Sequence, residues 1–111
     1  MKIAERTIPL VDIIREKHPT TPIVFDGLFP AAYSLLNAEL FDESKKLVNA
    51  LKTEFQKMIN WGYDNLFYVD GSSALGDDYE GTVDGLHFTD LGFLRHANFL
   101  LTELKDNKLL D

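Results

Sequence analysis

Apolar residues recur at helical spacing in three segments of the chain, and two short, continuous apolar runs lie between them. In the first segment, Thr7 is predicted as the N-cap, with Pro9 in the first turn, where its missing N–H costs nothing. This helix is expected to stop by His18, because Pro19 disfavours the α conformation in the residue before it. Its apolar stripe consists of Ile8, Leu10, Val11, Ile13 and Ile14.

The second and third helical segments are longer. The second is predicted from about Glu39 to Trp61, with Gly62 as the C-terminal cap. The third follows Thr89, a second predicted N-cap, and reaches about Leu109. The predicted inward stripes are Leu40, Leu47, Leu51, Phe55 and Met58 in the second helix, and Phe93, Ala97, Leu100 and Leu104 in the third. The charged side chains of the second helix, including that of Glu54, are predicted to face solvent.

The two apolar runs, Ile23-Val24-Phe25 and Leu66-Phe67-Tyr68-Val69, are predicted as strands buried on both faces, as in a parallel sheet. An Asp-Gly pair ends each run, at Asp26-Gly27 and at Asp70-Gly71. A strand–helix–strand unit of this length implies a right-handed parallel crossover, so the order α-β-α-β-α indicates an α/β fold in a single domain, residues 1–111. Two such strands make a poor sheet alone, which suggests that another chain, or another copy, completes it.

The loop after the first strand runs from Leu28 to Asn37 and contains Phe29 and Pro30. In open α/β sheets, ligands bind beyond the carboxyl ends of the strands. This apolar loop is therefore a candidate pocket wall, and plain packing over the edge of the sheet is the alternative.

Composition narrows the function classes. The 111 residues are 45% apolar and 26% charged, which is an ordinary globular balance. A formal net charge of −7 disfavours a nucleic-acid partner, and no apolar run approaches the ~18 residues of a membrane span. The absence of cysteine excludes disulfides, thiol catalysis and zinc-thiolate sites. The first residues lack the apolar segment of a signal peptide, and the compartment stays open.

The candidate chemistry lies between Gly81 and Gly92, where Asp84 stands three residues before His87 in a glycine-bracketed loop. At this spacing the carboxylate can reach Nδ1–H of the imidazole and fix the tautomer in which Nε2 faces outward as a base. An Asp–His pair of this kind is two-thirds of a Ser-His-Asp site. The alternative is a local hydrogen bond that only shapes the start of the last helix.

Other candidate side chains carry weaker signals. Ser72 and Ser73 follow the second strand, but they lack the Gly-x-Ser-x-Gly pattern of a nucleophile elbow, and turn formation is the default interpretation. His96 is predicted to be a partly buried structural residue beside the stripe of the last helix. The acidic loop does not have calcium-loop spacing, so a solvated loop is favoured over a divalent cation site there; it consists of Asp77, Asp78 and Glu80.

The segment Val83-Asp84-Gly85-Leu86-His87, followed by Thr89-Asp90-Leu91-Gly92-Phe93, resembles the closing motif of the SGNH (GDSL-type) hydrolases. The resemblance extends upstream, where residues 19–24 and 65–71 look like the surroundings of that family's fourth and fifth strands. It implies a partial flavodoxin-like three-layer sandwich that corresponds to the C-terminal part of such a domain. Phe88 stands where the family usually has Pro.

By this resemblance, His87 would be the general base of an ester hydrolase and Asp84 its orienting carboxylate, acting on a small ester or acylated carbohydrate without a cofactor or metal ion. The family's nucleophilic Ser and oxyanion donors belong to an N-terminal portion that has no match before Ile23. The chain is therefore expected to be the C-terminal portion of such an enzyme and inactive alone. The alternative is a non-catalytic α/β remnant that self-associates through exposed sheet edges as a homo-oligomer.

Overall fold

The computed structural model describes residues 1–28 and 32–110, so the predicted pocket-wall residues Phe29 and Pro30 lie outside the described part of the chain. The order α-β-α-β-α is confirmed, with one extra helical turn after the first strand. The elements are α1 (Lys2–Lys17), β1 (Ile23–Asp26), α2 (Tyr33–Leu36), α3 (Ala38–Asn60), β2 (Leu66–Val69) and α4 (Asp90–Asp106). None of the described helices combines the length and the apolarity that crossing a membrane requires.

The strands β1 and β2 pair in parallel, in a register that joins Ile23 to Leu66 and Asp26 to Val69. The backbone continues this pairing past the strand ends, where the Gly27 N–H donates to the Val69 carbonyl at 2.9 Å. At the opposite end of the sheet, the guanidinium of Arg15 donates to the carbonyl oxygens of His18, Thr21, Asp64 and Asn65 at 2.6–3.2 Å. The end of α1 is thereby fixed to the segments that lead into both strands.

Three layers form around this small sheet. Val11 of α1, Met58 of α3 and Leu66 of β2 form the buried core on one face. Phe25 lies on that face too, because its ring packs against Phe55 of α3 with the centroids 5.7 Å apart. Side chains alternate along a strand, so the next residue, Asp26, points to the other face, where α4 lies.

The expected double burial of the strands is wrong for this chain. All four residues of β1 are half-buried, and in β2 the two middle residues, Phe67 and Tyr68, are half-buried as well. The reason is that each strand has one neighbour in the described part of the chain, so each leaves an edge unpaired. Both strands are therefore more apolar than their partial burial in the described part of the chain would require.

The start of α1 also differs from the prediction. The helix begins at Lys2, so Thr7 and Pro9 lie inside it rather than at its N-terminus. Thr7 is buried, and its hydroxyl donates to the Ile3 carbonyl at 2.7 Å, which satisfies the hydroxyl without a capping role. Helix-favouring residues before Thr7 allow the extra turns. The predicted end is confirmed, since His18 is the C-cap.

The helix α3 has the predicted C-terminal cap at Gly62 and an N-cap, Asn37, that was not predicted. The Asn37 side chain accepts from the Leu40 N–H, and Gly62 has a φ of +89° in a Schellman motif, with the Tyr63 N–H donating to the Met58 carbonyl. The predicted exposure of Glu54 is wrong, because this residue is only 3% exposed and its carboxylate pairs with Lys57 at 2.7 Å.

The last helix keeps its predicted cap but presents a different face. Thr89 is the N-cap, whereas the helix ends at Asp106, three residues before the predicted end, because Lys108 takes a φ of +59° and closes a second Schellman motif. The predicted stripe is wrong at Phe93 and Ala97, which are exposed. The inward side is instead formed by Gly92, Arg95, His96, Phe99, Leu100, Glu103 and Leu104. Apolar residues on both sides of α4 made its orientation ambiguous.

Candidate active site

The segment from Gly81 to Gly92 folds as a hairpin that leads into α4. The backbones of Thr82 and Phe88 pair as an antiparallel bridge, and the Val83 N–H donates to the His87 carbonyl at 2.8 Å. The hairpin therefore has its own backbone hydrogen bonds, and the five residues between Thr82 and Phe88 form its tip.

The junction of the hairpin with α4 is fixed by Thr89. Its side-chain oxygen accepts from the Gly92 N–H at 3.1 Å and its hydroxyl donates to the Glu80 carbonyl at 2.8 Å, while its own N–H donates to the Gly81 carbonyl at 3.0 Å. The first turn of α4 also touches the hairpin backbone directly. A Cβ at Gly92 would overlap the Gly81 carbonyl, so only glycine fits there without movement.

Asp84 organises the tip of the hairpin through both carboxylate oxygens. Oδ1 accepts from the Leu86 N–H at 3.0 Å and from the His87 N–H at 2.8 Å. Oδ2 lies 2.6 Å from Nδ1 of the His87 ring. Gly85 turns the chain between them with a φ of +93°, and its N–H donates to the Thr82 hydroxyl at 3.1 Å.

These contacts decide the protonation state of the pair. The backbone N–H of His87, then that of Leu86, and then the His87 ring lower the pKa of Asp84 to about 2. Asp84 is therefore ionised at neutral pH and can only accept, so Nδ1 of a neutral His87 carries the proton and Nε2 carries the lone pair. With the His87 side chain 73% exposed and that of Asp84 53% exposed, the lone pair is available on the surface.

The structure thus brings together the two residues that the sequence singled out, in the orientation that a general base needs. Among the described residues, the His87 ring hydrogen bonds only to Asp84. The catalytic role of the pair stays a prediction.

The two serines after β2 have a structural use instead. Asp70 caps the 3-10 turn Gly71–Ser73, and its carboxylate accepts from the Ser72 N–H at 3.0 Å. This bond, and a second one from the Ser72 hydroxyl, lower the pKa of Asp70. Ser72 and Ser73 are exposed, and neither hydrogen bonds to His87. Turn formation, the default interpretation of these serines, agrees with this geometry.

The acidic loop is anchored rather than freely solvated at Asp78. Its two carboxylate oxygens accept from the Arg95 guanidinium of α4 at 2.7 and 2.8 Å, which holds the pKa of this carboxyl well below its usual range. Arg95 also donates to the Leu75 carbonyl at 2.9 Å. The sequence did not predict this bidentate Arg95–Asp78 pair, because two residues 17 positions apart have no local spacing signal.

A second Asp–His pair was also missed. Nε2 of His96 lies 2.7 Å from Oδ2 of Asp26, although the two residues are 70 positions apart. The His96 side chain is 20% exposed, as a partly buried structural residue would be, and that of Asp26 is 30% exposed. The signal in the sequence was the carboxylate at the end of a strand, which is where α/β folds place functional groups.

A shallow cavity of about 190 Å³ lies between α2 and the hairpin. Its wall on one side is Ala32, Leu35 and Leu36, and the hairpin supplies Thr82, Val83 and Gly85 on the other, with Tyr79 beside them. The predicted pocket-wall loop, in its described part, therefore does line a pocket next to the Asp84–His87 pair.

Comparison with known proteins agrees with these features. The model of a family described as the GDSL-like Lipase/Acylhydrolase family matches residues 1–105. A crystal structure of a "putative GDSL-like lipase" from Bacteroides ovatus superimposes with a TM-score of 0.88 at 30% sequence identity, over 95% of this chain. The chain spans 31% of the length of that protein. A comparison with curated proteins found no match.

Proposed function

Because the chain belongs to the GDSL-like lipase/acylhydrolase family, we propose that it carries the Asp–His part of an ester hydrolase site. In this proposal His87 is the general base, and Asp84 orients its ring. The substrate class is a small ester or an acylated carbohydrate. The observation that carries the proposal is the 2.6 Å contact between Asp84 Oδ2 and His87 Nδ1, with Nε2 directed away from the carboxylate.

The chemistry follows from that geometry. Nε2 of His87 takes the proton of a serine hydroxyl as the oxygen attacks the ester carbonyl, and the imidazolium that forms is stabilised by the ionised Asp84. The same proton then passes to the leaving alcohol as the tetrahedral intermediate collapses to an acyl-enzyme. In the second half, His87 takes a proton from water as the water oxygen attacks the acyl carbon. When that intermediate collapses, His87 returns the proton to the serine oxygen and the carboxylic acid leaves.

The nucleophile and the oxyanion donors are assigned to a portion of the protein outside residues 1–111. Two observations support this assignment. Ser72 is bonded to Asp70 rather than to His87, and the chain corresponds to 31% of the length of the matching Bacteroides ovatus protein. In this proposal that portion also supplies the rest of the sheet next to β1 or β2.

The apolar cavity beside the hairpin supports a small substrate group. About 190 Å³ holds a short acyl chain or one small ring, and its walls from Leu35, Leu36 and Val83 favour apolar contact over hydrogen bonding. The proposed acyl group is therefore short.

An experiment in two parts tests the proposal. First, the 111-residue chain and its His87→Ala variant are assayed with p-nitrophenyl acetate, and we expect equal background rates. Second, the chain replaces its matching segment in the Bacteroides ovatus protein, and the chimera is assayed with an ester that the parent protein hydrolyses. We expect His87→Ala to lower the rate of the chimera by about 10³-fold or more. A folded, active chimera that is indifferent to His87→Ala would contradict the proposal.

A second candidate function is a non-catalytic α/β unit that self-associates. The observation that favours it is apolar surface: α1 exposes Leu10 and Ile13, each about 60%, and both strands leave an edge unpaired in the described part of the chain. It predicts a homodimer in light scattering that Leu10→Lys with Ile13→Lys converts to a monomer, and no ester hydrolysis in the chimera. A monomeric wild-type chain would exclude it.

A further inference from the structure

The pair Asp26–His96 joins the end of the sheet to α4. Asp26 is the last residue of β1, and His96 lies in the second turn of α4. Their 2.7 Å contact is mostly shielded from water, so it holds its geometry better than an exposed pair of the same length. The position of the His96 ring is therefore tied to the sheet.

The His96 ring in turn contacts the hairpin. It meets the ring of Phe88 edge to face, with the centroids 5.5 Å apart and the planes at 90°. Phe93, one turn earlier in α4, meets the same ring at 5.1 Å. Phe88 is thus held between two aromatic side chains of α4, one of which is fixed by Asp26.

Phe88 follows His87 directly in the chain, so the contact of Phe88 with α4 also affects the direction of the His87 side chain. Phe88 pairs with Thr82 in an extended bridge, where successive side chains point to opposite sides. The half-buried Phe88 ring points towards α4, so the His87 ring points outward, where it is 73% exposed. Whatever holds Phe88 inward also decides which way His87 faces.

We propose that Asp26 and His96 are positioning residues of the Asp84–His87 site and act through Phe88. Their catalytic meaning rests on the proposed function, whereas their effect on the direction of the His87 ring is measurable without any hydrolysis. A purely structural pair would stabilise the fold and leave the His87 ring as it is. The two interpretations differ in the side chain of His87 itself.

Nuclear magnetic resonance of the 111-residue chain at a pH where His87 is neutral separates them. Three-bond couplings report the χ1 rotamer of His87, and the ring nitrogen shifts report its tautomer. In the wild type we expect one rotamer and the Nδ1–H tautomer. In His96→Ala we expect rotamer averaging and an about twofold fall in the Nδ1–H population, because a free imidazole favours Nε2–H.

Three further variants keep the test falsifiable. His96→Gln keeps a donor for Asp26 but lacks the ring, and we expect it to behave like His96→Ala even where the alanine variant is too unstable to study. Phe88→Leu is expected to reproduce the effect, and the double variant with His96→Ala to add little, because both changes break one path. Met58→Ala lowers stability in the distant core and is expected to leave His87 unchanged.

The result that overturns the proposal is a folded His96→Ala or His96→Gln chain in which the His87 rotamer and tautomer match the wild type. Additive effects of His96→Ala and Phe88→Leu would overturn the path through Phe88. If Met58→Ala changed the His87 rotamer and tautomer in the same way, the effect of His96→Ala would be explained by lost stability alone, and the proposal would fail. Failure of the proposed function is read separately, as a chimera whose hydrolysis does not need His87.

Discussion

Among residues 1–28 and 32–110 there are two Asp–His pairs, which share a short contact but differ in separation, exposure and the ring nitrogen used. Asp84 and His87 are three residues apart in one hairpin, lie on the surface, and use Nδ1, which leaves Nε2 open. Asp26 and His96 are 70 residues apart, lie mostly buried between β1 and α4, and use Nε2. An Asp–His contact is therefore not by itself a catalytic site. Two properties distinguish a candidate general base from a structural histidine. They are the ring nitrogen that contacts the carboxylate and the exposure of the histidine side chain to solvent.

The largest expected contrast between the pairs is in rate. In the chimera described above, His87→Gln should lower kcat by about 10³-fold or more, because the base is lost. His96→Gln should lower kcat by about tenfold with KM unchanged, because the base is present but less well directed. Steady-state kinetics of both variants measures the contrast. Equal losses of kcat would show that His87 and His96 do not have different roles.

The order reverses for stability. His96→Ala leaves the Asp26 carboxylate without its partner in a mostly buried position, and we expect the free energy of unfolding to fall by about 1–3 kcal/mol. His87→Ala removes an exposed ring and should change it little. Urea unfolding of the 111-residue chain measures both. A larger loss for His87→Ala would show that the hairpin contributes more to folding than its exposure indicates.

Acid should act on the hairpin pair in a defined window. The pKa of Asp84 is lowered from 3.8 to about 2 in the folded chain, so between these values the unfolded state binds more protons. The stability that Asp84 contributes is therefore complete above about pH 4 and is lost as the pH falls towards 2. Carboxyl titration followed by nuclear magnetic resonance should give Asp84 a midpoint near 2. A midpoint near 4 would mean that the backbone N–H bonds of Leu86 and His87 do not persist.

The smallest expected effect concerns the tip of the hairpin. Thr82→Val keeps the shape of the side chain but removes the acceptor for the Gly85 N–H, and should cost about 1 kcal/mol. Amide hydrogen exchange at Gly85 should quicken, whereas exchange in the first turn of α4 should not. Thr82→Ser, which keeps the hydroxyl, is the matched control. Unchanged exchange in Thr82→Val would show that this bond does not stabilise the tip of the hairpin.

The same contrast explains how much the sequence could predict. Features formed by residues close in the chain could be predicted from their spacing. These are the Asp84–His87 contact, the Thr89 cap and the Gly62 cap. Asp26–His96 and Asp78–Arg95 depend on how α4 is rotated against the sheet, which its two-sided apolar pattern did not specify. The half-burial of β1 was not predictable either, because burial depends on neighbouring strands rather than on the apolar character of the run itself.

The contact between Gly81 and Gly92 has a consequence for protein engineering. It joins backbone to backbone, so the hairpin and the first turn of α4 meet with no side chain between them. The bonds of Thr89 lie within the same twelve residues or to the adjacent Glu80. Residues 80–92 are therefore a transferable unit for the backbone of the hairpin and the Asp84–His87 contact. To direct the imidazole as well, the host helix would need aromatic side chains at the positions of Phe93 and His96.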